Sequence, residues 1–243
     1  FRVGMAAGAS APSQRRAMYL VLAASVAAGV LALVPKARVE VKHHIARLAM
    51  LLSGWTFRSE SSLCKNMPDD RHKLPLKYVA FGEPHTSMKD FLVMLCFLWF
   101  AKVDHVRFMV TKKHFYPVMG SILTLLGAVK VDPSRSGNIT QQMVDYVANC
   151  KGRCVLLIPP SGTRRKTEYW RSGFYYIALG AKVPVLPAFL DAAKKEFGFS
   201  DPVVLTGDMK ADMDKFRAVY KDKRGFYPED ESACKLKAEE ESK

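Results

Sequence analysis

Between residues 76 and 190 short apolar runs alternate with helical stretches, and this alternation limits the fold more than any other feature of the sequence. Residues 76–81, 106–110, 129–131, 154–158 and 183–190 read as strands. Helical runs lie between them, over about 87–101, on through 126, over 141–148 and over 173–179. Repetition of this kind stacks parallel strands beneath helices, so the expected class is α/β with a largely parallel central sheet flanked by helices. Residues 91–101 are strongly apolar but too few to cross a bilayer, which predicts a helix buried on the sheet.

The N-terminal part has a different pattern. Residues 18–34 are apolar or small without a break, with Arg15 and Arg16 before them and Lys36 and Arg38 after. About seventeen residues at 1.5 Å each approach the ~30 Å hydrocarbon thickness, so a membrane helix is expected at about 17–34. Basic residues flank both ends and leave its orientation undetermined. Residues 39–57 place Val41, Ile45, Leu48, Leu52 and Trp55 near a helical repeat. This predicts an amphipathic helix whose Trp and basic residues sit at lipid head-group level, with packing on the domain as the alternative. Residues 1–58 are accordingly expected as an N-terminal helical membrane anchor, 59–228 as the α/β domain, and 229–243 as a charged tail, solvated or disordered. No acidic residue precedes Glu40, a composition that suits a mitochondrial or plastid membrane ahead of the endoplasmic reticulum.

The net charge of +14 suits phosphate-rich partners. No RNA-recognition, zinc-finger or helix-turn-helix pattern accompanies it, so nucleic acid is set aside in favour of anionic phospholipid. No Gly-x-Gly-x-x-Gly or P-loop follows any strand, which removes nucleotide-binding readings. The five cysteines, 64, 96, 150, 154 and 234, are odd in number and irregularly spaced and read as reduced thiols; no metal site is expected from them or from the adjacent His43 and His44.

Chemistry concentrates at the sequence Gly82-Glu83-Pro84-His85-Thr86-Ser87-Met88-Lys89-Asp90, between a strand and a helix. Residues five apart on one ideal helix point about 140° away from each other, so His85 and Asp90 cooperate only if His85 precedes the helix that Asp90 begins. The carboxylate would then hold one imidazole nitrogen protonated and leave the other as a general base. Asp90 also lies three residues after Ser87, as in a capping box, and complements the helix dipole.

His85-x4-Asp90 after a strand resembles the signature of the glycerolipid acyltransferase superfamily, of the lysophosphatidic acid acyltransferase type. Further segments are similar to the superfamily's later motifs, in order. Val110-Thr111-Lys112-Lys113 with Gly127-Ala128-Val129-Lys130-Val131-Asp132 looks like its second block, Pro160-Ser161-Gly162-Thr163-Arg164 like its Pro-Glu-Gly-Thr-Arg block, and Val183-Pro184-Val185-Leu186-Pro187 like its fourth. The resemblance covers about 78–191. It implies transfer of an acyl group from acyl-CoA or acyl carrier protein, as co-substrate and without another cofactor, to a lysophospholipid or glycerol phosphate hydroxyl at a membrane. His85 and Asp90 would be catalytic, and Ser161, Gly162, Thr163 and Arg164 would bind substrate, with Lys112 and Arg135 as further candidates. Arg165 and Lys166 read as a solvated basic loop.

Two positions depart from the motifs. Ser161 stands where the superfamily has Glu, and Pro133 where it has Arg, with Arg135 two residues on. A hydroxyl does not replace a carboxylate. These departures support a second reading, a catalytically weakened accessory subunit of a membrane complex, structural or lipid-binding in role.

Overall fold

The computed structural model describes residues 35–132 and 139–241. The expected membrane segment at about 17–34 and the candidate Arg135 lie outside these residues. Among those described, no helix is long and apolar enough to cross a membrane.

The strands β1 (Thr56–Ser59), β2 (Lys77–Glu83), β3 (Val106–Thr111), β4 (Ala128–Val131), β5 (Cys154–Leu157), β6 (Val185–Asp191) and β7 (Glu196–Phe199) form one sheet in the order β1-β7-β6-β2-β5-β3-β4. All neighbours run parallel except the β6–β7 pair. The helices are α1 (Pro35–Ser53), α2 (Met88–Phe100), α3 (Pro117–Leu125), α4 (Ile139–Asn149), α5 (Gly173–Gly180), α6 (Met209–Tyr220) and α7 (Ala238–Glu241). This is the α/β class expected from the alternation.

Successive strand residues point to opposite faces, and β2 uses both. Val79 and Phe81 are buried with Phe174 of α5 and Phe216 of α6. Tyr78 and Ala80 are buried in a second cluster with Phe97 of α2 and Phe197 and Phe199 of β7. A strand apolar on both sides belongs in the middle of a covered parallel sheet. Gly127 makes the turn from α3 into β4 possible: its φ is +98°, and a Cβ there would lie 2.2 Å from the Val106 carbonyl oxygen.

Several expectations change. The chain enters the sheet before the expected boundary at residue 59, because Thr56–Ser59 pairs with β7 along an otherwise open edge. Trp55 does not face outward to lipid. It lies beyond α1, with its ring 6.2 Å from Phe197 and 5.9 Å from Phe226, fixing the turn between α1 and β1 against the domain. Helix α1 packs on α2 through Ala46 and the buried His43, whose Nδ1 lies 2.7 Å from the Phe100 carbonyl.

Helix α2 is less buried than its composition implies. Phe97 faces the sheet, but Met88 and Leu92 are exposed.

The tail is neither solvated throughout nor disordered over its described part. Leu236 is fully buried, the Lys235 carbonyl accepts from Trp170 N at 2.8 Å, and Glu239 pairs with Arg217 at 2.8 Å. Leu236 and ion pairs of Glu239 with Arg217, Glu231 with Arg224 and Lys235 with Glu168 hold this segment on the domain despite its polar composition.

Candidate active site

The carboxyl ends of β2 and β5 lie side by side, with Ala80 opposite Leu157, so the loops leaving them share one end of the sheet. Open parallel sheets bind ligands at this end of the strands.

The first loop carries His85, which precedes α2, as its cooperation with Asp90 requires. Ser87 is the N-cap: its Oγ accepts from Lys89 N at 3.1 Å, and the Asp90 side chain accepts from Ser87 N at 2.7 Å, completing a capping box. The same Asp90 Oδ2 accepts from Thr86 N at 2.7 Å and lies 3.2 Å from His85 Nδ1. Capping and contact with His85 are thus two uses of one carboxylate. Because Asp90 Oδ2 is acceptor-only when ionised, the proton in this contact belongs on Nδ1, which leaves Nε2 with its lone pair free. Asp90 is buried while the His85 side chain is 26% exposed, so the pair is anchored from below and open above.

The second loop covers residues 158–164. Ser161 is buried, and its Oγ donates to the Thr163 carbonyl at 3.0 Å. Gly162 has φ +67°, and a Cβ there would meet Arg171 Nε at 2.6 Å, so both its backbone and the packing of Arg171 need glycine. Thr163 is half-buried. Arg164 is exposed, and its guanidinium has no ion-pair or hydrogen-bond partner among the described residues. Lys112 differs from Arg164 in this respect. It forms an ion pair with Asp132 at 2.7 Å, which compensates the charge expected for substrate binding.

Sequence reasoning passed over Glu83, the last residue of β2. It is 4% exposed; Oε2 accepts from His85 N at 2.8 Å and Oε1 from Ser161 N at 3.0 Å. Burial pushes its carboxyl above the usual range, against the lowering effect of the hydrogen bonds from Ser161 and of nearby His85. The available signal was a charged residue at the end of an otherwise apolar strand. Thr86 was also missed. Its Oγ1 accepts from Tyr227 N at 3.1 Å and would lie 2.6 Å from a Cβ on Gly225, so residues 225–227 brace the back of the His85 loop.

An open groove of about 1550 Å³ runs along α2. Phe91, Leu95 and Leu98 of α2 line it, with Phe115 and Leu157. Phe91 follows Asp90 directly and Leu157 ends β5, whereas no residue of either loop lines the groove. Lys42, Arg107 and Lys130 add positive charge along it.

Residues 83–191 match the family model described as Acyltransferase, which bears out the resemblance drawn from the motifs. No curated protein matches the chain. Among solved structures, the 1-acyl-sn-glycerophosphate (LPA) acyltransferase PlsC from Thermotoga maritima aligns with 15% identity and a TM-score of 0.49, over 76% of this chain and 78% of its own.

Proposed function

We propose that this chain, matched by the acyltransferase model from Glu83 to Asp191, moves an acyl group from a thioester donor to a hydroxyl of a lysophospholipid or glycerol phosphate. The single observation that carries the proposal is the His85 Nδ1 contact with buried Asp90 at 3.2 Å, in a loop open to solvent. An alcohol is a poor nucleophile until its proton is taken, and an oriented imidazole takes it as the C–O bond forms. In this mechanism Nε2 accepts the acceptor's hydroxyl proton while the oxygen attacks the thioester carbonyl. The tetrahedral intermediate collapses, the C–S bond breaks, and the proton on Nε2 passes to the departing thiolate. No acyl-enzyme forms.

Arg164 is the group for the acceptor's phosphate, since a planar guanidinium without an acidic partner among the described residues matches two phosphate oxygens at once. Arg164→Ala is expected to raise KM for lysophosphatidic acid by about tenfold or more with kcat nearly unchanged. A neutral monoacylglycerol acceptor should respond little to the substitution. Steady-state assays on both acceptors check this, and equal KM values for wild type and variant remove the role.

The apolar groove along α2, lined by Phe91, Leu95 and Leu98, takes the donor's acyl chain, and the surface around it meets the membrane. Leu48, Leu51 and Leu52 on α1 and Val118 and Ile122 on α3 are exposed, an apolar set on a protein of net charge +14. Exposed apolar side chains together with basic charge favour anionic bilayers. Leu48→Asp/Leu51→Asp/Leu52→Asp is expected to reduce co-flotation with vesicles of anionic phospholipid while the far-ultraviolet circular dichroism stays unchanged. Undiminished flotation of this variant assigns membrane contact to another surface.

A further inference from the structure

The strongest feature left unused by this mechanism is the buried carboxylate of Glu83, which joins the two loops of the site. His85 and Ser161 are 76 residues apart in sequence, yet each donates its backbone N–H to a different oxygen of this one side chain. A carboxylate taken out of water is costly, and burial dominates its raised proton affinity. A neutral amide would not serve equally well. Glutamine would accept one of the two N–H groups and turn its own NH₂ toward the other. Two loop amides aimed at the two oxygens of one side chain select an acceptor-only group, which is what Glu83 supplies when ionised.

Ser161, the other end of this link, is the position where the motif resemblance expects Glu. Its side chain is buried and small, and the carboxylate beside its backbone comes from β2. We propose that Glu83 supplies from the end of β2 the carboxylate missing at position 161, and that it acts as a positioning residue holding the His85 loop and the Arg164 loop in mutual register. Glu83 does not touch the reacting atoms. It acts through backbone N–H groups, so that His85 Nε2 and the acceptor bound at Arg164 meet in attack geometry. The inference rests on the proposed acyl transfer, and its test has a readout that does not.

The experiment is a substitution cycle on the full chain: wild type, Glu83→Gln, Glu83→Ala, Ser161→Glu, and Glu83→Ala combined with Ser161→Glu. Each protein is followed by thermal denaturation and by transfer from acyl-CoA to lysophosphatidic acid. Misplacement of reacting groups by about 1 Å costs about 10²-fold, so Glu83→Gln and Glu83→Ala should lose about that much kcat. Ser161→Glu alone forces two carboxylates into one buried space and should lower the melting temperature. The combined variant should melt above Ser161→Glu and recover at least about tenfold of the kcat lost in Glu83→Ala, because one carboxylate again serves both loops. If Glu83→Ala does not fold, the near-isosteric Glu83→Gln gives the kcat comparison and the combined variant is compared with Ser161→Glu. Losses of stability that simply add around the cycle overturn the proposal, as does a folded Glu83→Gln with wild-type kcat. An inactive wild type removes the acyl-transfer reading and leaves the denaturation cycle to decide whether the two positions share one carboxylate site.

Discussion

Asp90→Asn is expected to leave the fold standing while lowering kcat for acyl transfer by about 10³-fold, within the usual range for loss of general-base catalysis. The substitution removes the charge of this side chain and keeps its acceptor oxygen. Asparagine Oδ1 still accepts from Thr86 N and Ser87 N, the bonds that hold α2's first turn at 2.7 Å in the native protein. The same oxygen also faces His85 Nδ1, since in the native protein Oδ2 makes all three contacts and lies 3.2 Å from Nδ1. The NH₂ takes the place of Oδ1, so the ring keeps its tautomer but loses the negative charge that stabilises the imidazolium formed as the hydroxyl proton is taken. Asp90→Ala behaves differently, since both loop amides lose their acceptor and the cap is broken. It should cost about 2–3 kcal/mol of stability as well as activity. Circular dichroism, melting temperature and kcat measured on the two variants separate these effects. An Asn variant with kcat close to wild type shows that Asp90 only caps the helix.

Phe81→Ala should have the largest effect on stability, about 3–5 kcal/mol by chemical denaturation. Phe81 is fully buried in the central strand, with ring centroids of Phe174, Phe216, Trp170 and Tyr220 at 4.9, 5.1, 5.7 and 5.8 Å. Four rings drawn from α5, α6 and the Trp170 segment meet on this one side chain, and little can move in to refill the space. Phe81 also lies two residues before Glu83 on the same strand. A cavity here should therefore loosen the anchor of the His85 loop, and activity should fall at temperatures where the variant is still folded. A loss below about 1.5 kcal/mol means that the surrounding rings collapse into the space.

What the sequence revealed depended on the range of the interaction that carried it. The central strands were legible because they are apolar on both faces, as Ala80 and Phe81 of β2 are, between clear helical runs. The His85–Asp90 contact was legible because both partners lie within six residues and the helix start decides their geometry. β1 and β7 were not. Thr56-Phe57-Arg58-Ser59 at the sheet edge and Glu196-Phe197-Gly198-Phe199 beside it are four-residue segments, too short to show a period. α6 carries Met213, Phe216 and Tyr220 at helical spacing behind an Asp208 cap. Its flanks carry many charges, which masked the apolar side. Glu83 could not have been paired with Ser161 from sequence, since nothing local couples the end of β2 to the loop after β5, whose adjacency is tertiary. The buried Leu236 was hidden for a similar reason: a single apolar residue in a charged tail has no pattern to betray it.

The central claim is that His85 acts as the base for acyl transfer to a phosphate-bearing glycerol hydroxyl. Its most direct test is to incubate purified full-length protein in anionic vesicles with acyl-CoA or acyl carrier protein and lysophosphatidic acid, and to quantify phosphatidic acid against His85→Ala. The account predicts product from wild type with at least one donor, and a rate about 10³-fold lower from the variant. Equal absence of product from both, across both donors and several lysophospholipid or glycerol phosphate acceptors, would contradict it and leave the chain as a non-catalytic relative with a structural or lipid-binding role.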